Sequence, residues 1–209
     1  AAPQTGPRET LVLLLASLWM VRLSGYITWR NRGHGEDRRY QAIRARNQPN
    51  FAFKSLYLVF GLQAMLAWVV ALPLMAALAS ERPLGWLDLL GAGVWLAAIV
   101  FEAVADWQLA RFKADPRHRG QVMDRGLWAW SRHPNYFGEC LAWWGAWLVA
   151  VAAGAAWTVV SPLLMTLLLL RVSGVVLLER DLLERRPAYR DYVARTSAFI
   201  PRPPRKERM

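Results

Sequence analysis

The sequence lacks most of what would mark a secreted, metal-dependent or classical nucleotide-binding protein. Its single cysteine, Cys140, excludes an internal disulfide framework. Three histidines, His34, His118 and His133, are scattered singly, so neither a metal site nor a bis-histidine haem site is expected. There is no phosphate-loop lysine motif, and the glycines of GHGE at 33–36 follow no strand, so they are not a dinucleotide-binding turn. No Ser–His–Asp arrangement can be argued. Acidic residues are scarce, 15 against 26 Lys and Arg, which leaves a net charge of +11. The opening Ala1 and the lack of a signal-peptide pattern lead us to expect a trimmed or fragmentary N-terminus.

What is present is apolar. Hydrophobic residues make up 55% of the 209, with 12 Trp, a composition that favours the membrane class over a soluble domain. Five apolar segments can be read, at about 10–29, 55–79 and 86–110, and two more that share 137–172 and divide near AAGAA at 152–156. A bilayer crossing takes about 20 residues, so the last two form a tight helical hairpin. The runs are continuous rather than alternating, and a lipid-exposed backbone must bond internally, so helices are expected and strands are not.

The basic residues fall into three regions, 30–54, 111–132 and 171–208; only Arg8, Arg22 and Arg82 lie elsewhere. With five crossings these regions share one side of the membrane, which the positive-inside rule makes cytoplasmic. The expected fold is therefore an all-α polytopic membrane bundle of about five transmembrane helices, with the N-terminus outside and the C-terminus cytoplasmic. Residues 1–200 form one domain, and 201–209 a mobile basic cytoplasmic tail. The same distribution accounts for the charge without nucleic acid and makes membrane lipids the expected neighbours.

Several polar residues sit where hydrocarbon makes them costly. Glu102 and Asp106, four apart, share a helix face near the cytoplasmic end of the third segment. Arg22 either pairs with them or lines a polar cavity with them. Asp88 reads as solvated near the outer interface. In SRHPNYFGE at 131–139, Pro134 keeps residue 133 out of helical geometry and suits the first turn of the next helix. Asn135 and Glu139 then share a face, with Tyr136 beside them and Arg132 and His133 just outside. The free donors of a helix start suit a phosphorylated or carboxylated ligand. An interfacial cap, with Trp128 and Trp130 as an aromatic belt, explains the stretch equally well. The tail carries dense charge, including Glu179, Arg180, Asp181 and Glu184, on a helix that Pro187 should kink or end.

GLWAWSRHPNYFGE, the apolar hairpin, LLERRPAYRDYVARTSAFIPRPP and the earlier LWMVRLSGYITWRNRGHGEDRRY together resemble the bacterial branch of the steroid 5-alpha-reductase C-terminal-domain superfamily, over nearly the whole chain. That resemblance implies an NADPH-dependent membrane enzyme, in the bacterial inner membrane, that reduces an enone-type C=C bond of a hydrophobic lipid- or steroid-like substrate. It implies cofactor-binding roles for Asp106, for Arg111 or Lys113 as its basic partner, for Arg132, His133, Asn135, Tyr136 and Glu139, and for Arg180, Asp181, Tyr189 and Tyr192. The sequence departs from the family where a Glu and a Tyr polarise the substrate carbonyl: the Glu would precede residue 1, and the Tyr position falls on Trp19. Tyr26 is the candidate catalytic substitute. Isoprenylcysteine carboxyl methyltransferases also carry an R-H-P-x-Y-x-G stretch and an acidic, Tyr-containing C-terminal helix, with S-adenosylmethionine as cofactor. A membrane lipid-binding protein without catalysis is the third alternative.

Overall fold

A computed structural model describes residues 6–33, 35, 38–172, 175, 179, 182–183 and 187–205. The described residues form helices and connecting segments, with no strand among them. Helix α1 is Pro7–Asn31, α2 Arg38–Arg46, α3 Phe51–Leu78, α4 Trp86–Ala114, α5 Pro134–Ala152, α6 Ala156–Val172 and α7 Tyr189–Arg195. Three of them, α1, α3 and α4, are long and apolar enough to cross a membrane. The two shorter helices, α5 and α6, meet at a break over residues 153–155 where Gly154 takes φ +91°, which is the expected small-residue hairpin. At 19 residues α5 spans roughly 28 Å at 1.5 Å per residue.

The helix boundaries follow from local chemistry. Pro7 occupies the first turn of α1, where its missing N–H costs nothing, and the Glu9 carboxylate accepts from Gly6 N at 3.3 Å. Pro134 opens α5 in the same way, and His133 before it is non-helical at φ −137°, ψ 58°, as the Pro requires.

The core lies where α4 meets α5. Trp95, Ala98 and Ile99 of α4 pack on Ala142, Trp143 and Ala146 of α5, with Leu15 of α1 and Val70 of α3 closing the cluster. Small residues let these helices approach. A Cβ on Gly145 would stand 2.7 Å from Trp95 N, and one on Gly138 would stand 2.8 Å from Glu102 Cβ. Close backbone approach through small residues is the usual means of joining helices in lipid, where apolar burial gives little preference for protein over acyl chains. The outward faces of α1, α3 and α4 present Leu14, Val21, Leu62, Trp68, Leu89 and Val100, a lipid-facing composition.

Two sequence expectations are corrected here. Asp88 is not solvated: it is fully buried, and its carboxylate accepts from Arg8 Nε at 2.7 Å and Nη2 at 2.9 Å. Arg8 also donates to Ser80 Oγ and to the carbonyls of Arg82 and Pro83, so the pair pins the start of α1 to the α3–α4 turn. Arg132 and His133 stand just outside α5, as the sequence implied, and both are buried. Residues 201–205 do not trail free. Arg202 N donates to Trp130 O and Arg205 N to Arg195 O, each at 2.9 Å.

Candidate functional site

Two polar constellations sit at one end of the α4–α5 pair. The first lies inside the bundle. Arg22 of α1 donates through Nη1 to Asp106 Oδ2 of α4 at 2.9 Å, and its Nη2 forms an ion pair with Glu102 Oε1 at 2.5 Å without hydrogen-bond alignment. Asp106 in turn accepts from Asn135 Nδ2 of α5 at 3.1 Å, and Asn135 Oδ1 accepts from Tyr136 N at 3.0 Å. Arg22, Asp106 and Asn135 therefore form a chain across three helices. This is the pairing that the spacing of Glu102 and Asp106 allowed, and Asn135 is the addition that spacing did not predict.

Glu139, one turn along α5, takes a different direction. Its Oε2 accepts from the Trp19 indole at 2.8 Å and its Oε1 from the Trp143 indole at 3.0 Å, while the two rings meet edge to face at 5.5 Å. The Trp that stands at the expected Tyr position thus spends its single donor on this carboxylate.

The second constellation caps α5. Arg132 donates Nε to Glu179 Oε1 at 2.7 Å and Nη2 to Glu179 Oε2 at 2.9 Å, and Nη1 to the carbonyls of Val193 and Thr196 at 3.0 and 2.6 Å. His133 Nε2 lies 3.0 Å from Glu179 Oε1, and its ring stacks on Tyr136 with centroids 5.6 Å apart. Burial pushes the Glu179 carboxyl up, but the hydrogen bonds of His133 and Arg132 outweigh it and hold the group below the usual carboxylate range. Tyr192 donates its hydroxyl to Trp128 O at 2.5 Å. Burial raises the phenols of both Tyr192 and Tyr189, the latter to about 12.

Between the end of α4, the loop after it, the start of α5 and α7 lies a cavity of about 490 Å³, within the range of ligand pockets, roughly 300–1,000 Å³. Asn135, His133, Tyr136, Tyr189 and Trp128 line it, with Lys113, His118 and Arg119 along its basic side. His118 stacks face to face on Phe112 at 4.4 Å, and its buried Nδ1 has no hydrogen-bond partner. On the other side of Arg22, between α1 and α4, an apolar groove of about 410 Å³ is lined by Leu18, Ile99, Val100, Val104, Trp107 and Arg22 itself.

The sequence-predicted residues therefore divide. Lys113, Arg132, His133, Asn135, Tyr136, Tyr189 and Tyr192 converge on the cavity. Asp106 stands behind it, joined through Asn135. Glu139 and Arg111 do not line it, and Arg111 lies over the Trp107 ring at 5.5 Å. Tyr26 lines neither the cavity nor the groove and is half-buried beside Trp29 and Arg30. Arg180 and Asp181 lie outside the described residues. Sequence reasoning passed over Glu179, seen only as one of many tail charges, and the loop residues His118 and Arg119. The neighbouring signal for Glu179 was the Arg132–His133 pair, which needs an acidic partner once buried.

An uncharacterized protein of the fission yeast Schizosaccharomyces pombe is similar to the chain, with 26% identity over 223 aligned residues that cover 93% of it. The chain spans 64% of the length of that curated relative. No solved structure matches. Residues 2–196 match the family described as protein of unknown function DUF1295, and the chain belongs to that family.

Proposed function

We propose that the protein is an NADPH-dependent membrane reductase acting on an activated C=C bond of a hydrophobic substrate, as its likeness to the steroid 5-alpha-reductase superfamily suggests. The observation that carries this reading is the Arg22–Asp106–Asn135 chain: Arg22 lines the lipid-facing groove, and Asn135 lines the cavity, whose walls are largely apolar and aromatic with cationic groups along one side. One wall thus separates a cavity that carries Lys113, His118 and Arg119 from a groove whose only charged group among the described residues is Arg22, a division that suits a phosphate-bearing cofactor on one side and a lipid substrate on the other.

The cavity suits the cofactor chemically. Lys113 and Arg119 offer cationic donors for phosphate, Trp128, Tyr136 and Tyr189 offer flat faces, and His118 Nδ1 is an unused polar atom at the edge. NADPH, when bound there, would supply the hydride. Asn135 holds its amide fixed between Asp106 and Tyr136 N, so it presents a set orientation to the cavity. Arg22 is the charged group of the groove, held by Glu102 and Asp106, and is placed to polarise a carbonyl brought in from lipid. This reading moves the polarising role from Tyr26 to Arg22. It also includes five crossings with a cytoplasmic C-terminus in a bacterial inner membrane, which places the cavity toward the cytoplasmic pool of cofactor.

One observation keeps a second reading in play. Asn135, Glu139 and the RTSAFIP stretch favour the reductases over the isoprenylcysteine-type methyltransferases in sequence, yet Glu139 is turned away from the cavity onto two indoles. What remains in the cavity is the R-H-P-x-Y pattern that both share, with Asn135 at its variable position as the one reductase-type side chain. Binding of NADPH, NADH and S-adenosylmethionine to the detergent-purified chain, measured side by side, separates the alternatives. Selective NADPH binding supports the reductase. Selective S-adenosylmethionine binding replaces it with methyl transfer, and failure of all three to bind favours a lipid-binding protein.

A further inference from the structure

The C-terminal strap carries a second, independent feature. After α7 the chain runs without helix from Thr196 to Arg205, yet it is held along its length. Arg132 N donates to Ser197 O at 2.9 Å, Ser131 Oγ to Phe199 O at 2.7 Å, Arg202 N to Trp130 O at 2.9 Å and Arg205 N to Arg195 O at 2.9 Å. A segment rich in Arg and Pro would normally stay solvated and unordered, because it has little apolar surface to offset the entropy of ordering. Here backbone bonds fix it across the start of α5, Phe199 packs edge to face on Phe137, and the side chains of 202–205 are left exposed.

The strap and α7 enclose a concave site of about 340 Å³, lined by Arg195, Arg202 and Arg205 together with the backbone of 193–198 and the buried Arg132. The charges in it are unequal. Arg132 is spent on Glu179, and Arg195 pairs with Asp124 at 2.5 Å. Arg202 and Arg205 are exposed and have no acidic partner among the described residues. The site therefore holds two guanidinium groups with no acidic partner among the described residues, on a backbone held by hydrogen bonds. Two large exposed apolar side chains belong to residues next to Arg202: Trp130, whose carbonyl accepts from Arg202 N, is 48% exposed, and Ile200, two residues before it, is 53% exposed. Exposed Trp and an aliphatic neighbour beside paired arginines, at the end of a membrane bundle, are the composition of the headgroup level.

We propose that this concavity is a binding site for the phosphate of an anionic phospholipid headgroup, with Arg202 and Arg205 as the ligating side chains and Trp130 and Ile200 seated among the adjoining acyl and glycerol groups. Guanidinium forks match phosphate oxygens in two-pronged geometry, and among the described residues Arg202 and Arg205 have no acidic partner to give up. The site is separate from the cofactor cavity, and Arg132 forms part of the wall between them. Its test is therefore independent of the reductase reading.

The experiment is binding of the delipidated full-length chain to vesicles of phosphatidylcholine alone and of phosphatidylcholine with phosphatidylglycerol, read by retained lipid in native mass spectrometry and by the midpoint of thermal unfolding. The double variant Arg202→Gln/Arg205→Gln is compared with Arg44→Gln/Arg46→Gln, which removes the same charge from α2. At about five-fold per basic residue near an anionic surface, the first variant should lose phosphatidylglycerol affinity by at least ten-fold. It should keep the wild-type midpoint in phosphatidylcholine, because the strap is held by backbone atoms that the substitutions spare. The α2 variant should lose markedly less. Equal losses in the two variants would reduce the effect to net charge and overturn the site. Stabilisation by millimolar inorganic phosphate that matches phosphatidylglycerol would also overturn it, in favour of a soluble anion.

Discussion

The indole of Trp19 donates to Glu139 across the α1–α5 contact at 2.8 Å, and that bond decides which way the Glu139 side chain faces. Asn135 and Glu139 share a helix face but serve different partners, one at the cavity and one inside the bundle. Replacing Glu139 with Ala leaves the indoles of Trp143, which is buried, and Trp19, which is partly buried, without their acceptor, at up to about 1–3 kcal/mol for a buried unsatisfied group and less for the partly exposed one. The expected outcome is a lower unfolding midpoint with NADPH affinity within about two-fold of wild type, on the view that bonds internal to the bundle contribute stability rather than recognition. Asn135→Ala should weaken cofactor binding more than it lowers the midpoint. Isothermal titration and thermal unfolding on both variants check the pair, and a large loss of affinity in Glu139→Ala would return that residue to the binding site.

Glu179 makes the start of α5 sensitive to acid. Its folded pKa is lowered by the His133 and Arg132 hydrogen bonds despite burial. A carboxyl whose folded pKa lies below its unfolded value contributes stability above the unfolded value, near 4.3, and loses it as pH falls through the folded one. Thermal midpoints should therefore be flat near neutrality and fall below about pH 4. Glu179→Gln should be less stable than wild type at pH 7, with a shallower decline on acidification. Because one buried partner is removed while Arg132 stays charged, the neutral-pH loss should approach about 3 kcal/mol, the lower end for a broken buried pair.

Much of the architecture could be read from the chain, because apolar length and punctuation are local properties. Pro134 fixed the start of α5 and the AAGAA stretch its end, and the Glu102–Asp106 spacing correctly implied a shared face for Arg22. Partner choice was less legible. Asp88 and Arg8 lie 80 residues apart, and nothing local tells a buried carboxylate from a solvated one at a helix start. Arg132 looked interfacial for the same reason: its partner Glu179 is 47 residues away, within a run of charges of similar appearance. The backbone bonds that hold the strap have no side-chain signature.

The α4–α5 contact depends on the absence of side chains at a few points. A Cβ at residue 145 would meet the Trp95 and Gly91 backbones below 3.0 Å, and backbone cannot swing aside as a side-chain end can. Gly145→Val should force the helices apart and cost about 1–3 kcal/mol or more by overpacking. Gly93, with nothing within 4 Å of its added Cβ, is the internal control: Gly93→Ala should be neutral or slightly stabilising, because Ala is the better helix former. Unfolding midpoints of the two variants in one detergent give the comparison.

Arg8 and Asp88 allow the sharpest separation of pairing from desolvation. Every donor of the Arg8 guanidinium is satisfied, and neither side chain is more than 3% exposed. Removing one partner leaves a buried charge alone, so Arg8→Met and Asp88→Leu should each destabilise by about 3–5 kcal/mol. Removing both takes away the desolvation cost along with the attraction, so the double variant should recover a substantial part of the loss. The recovery should be incomplete. Arg8 also holds Ser80 Oγ and the Arg82 and Pro83 carbonyls, and Asp88 holds Gly85 N, so the double variant loses the hydrogen bonds that order the α3–α4 turn. A double-mutant cycle by chemical unfolding measures the coupling. If the two single losses simply add, Arg8 and Asp88 act independently and the turn contacts alone hold this end of the bundle. A coupling of several kcal/mol would show that the ion pair is the pin.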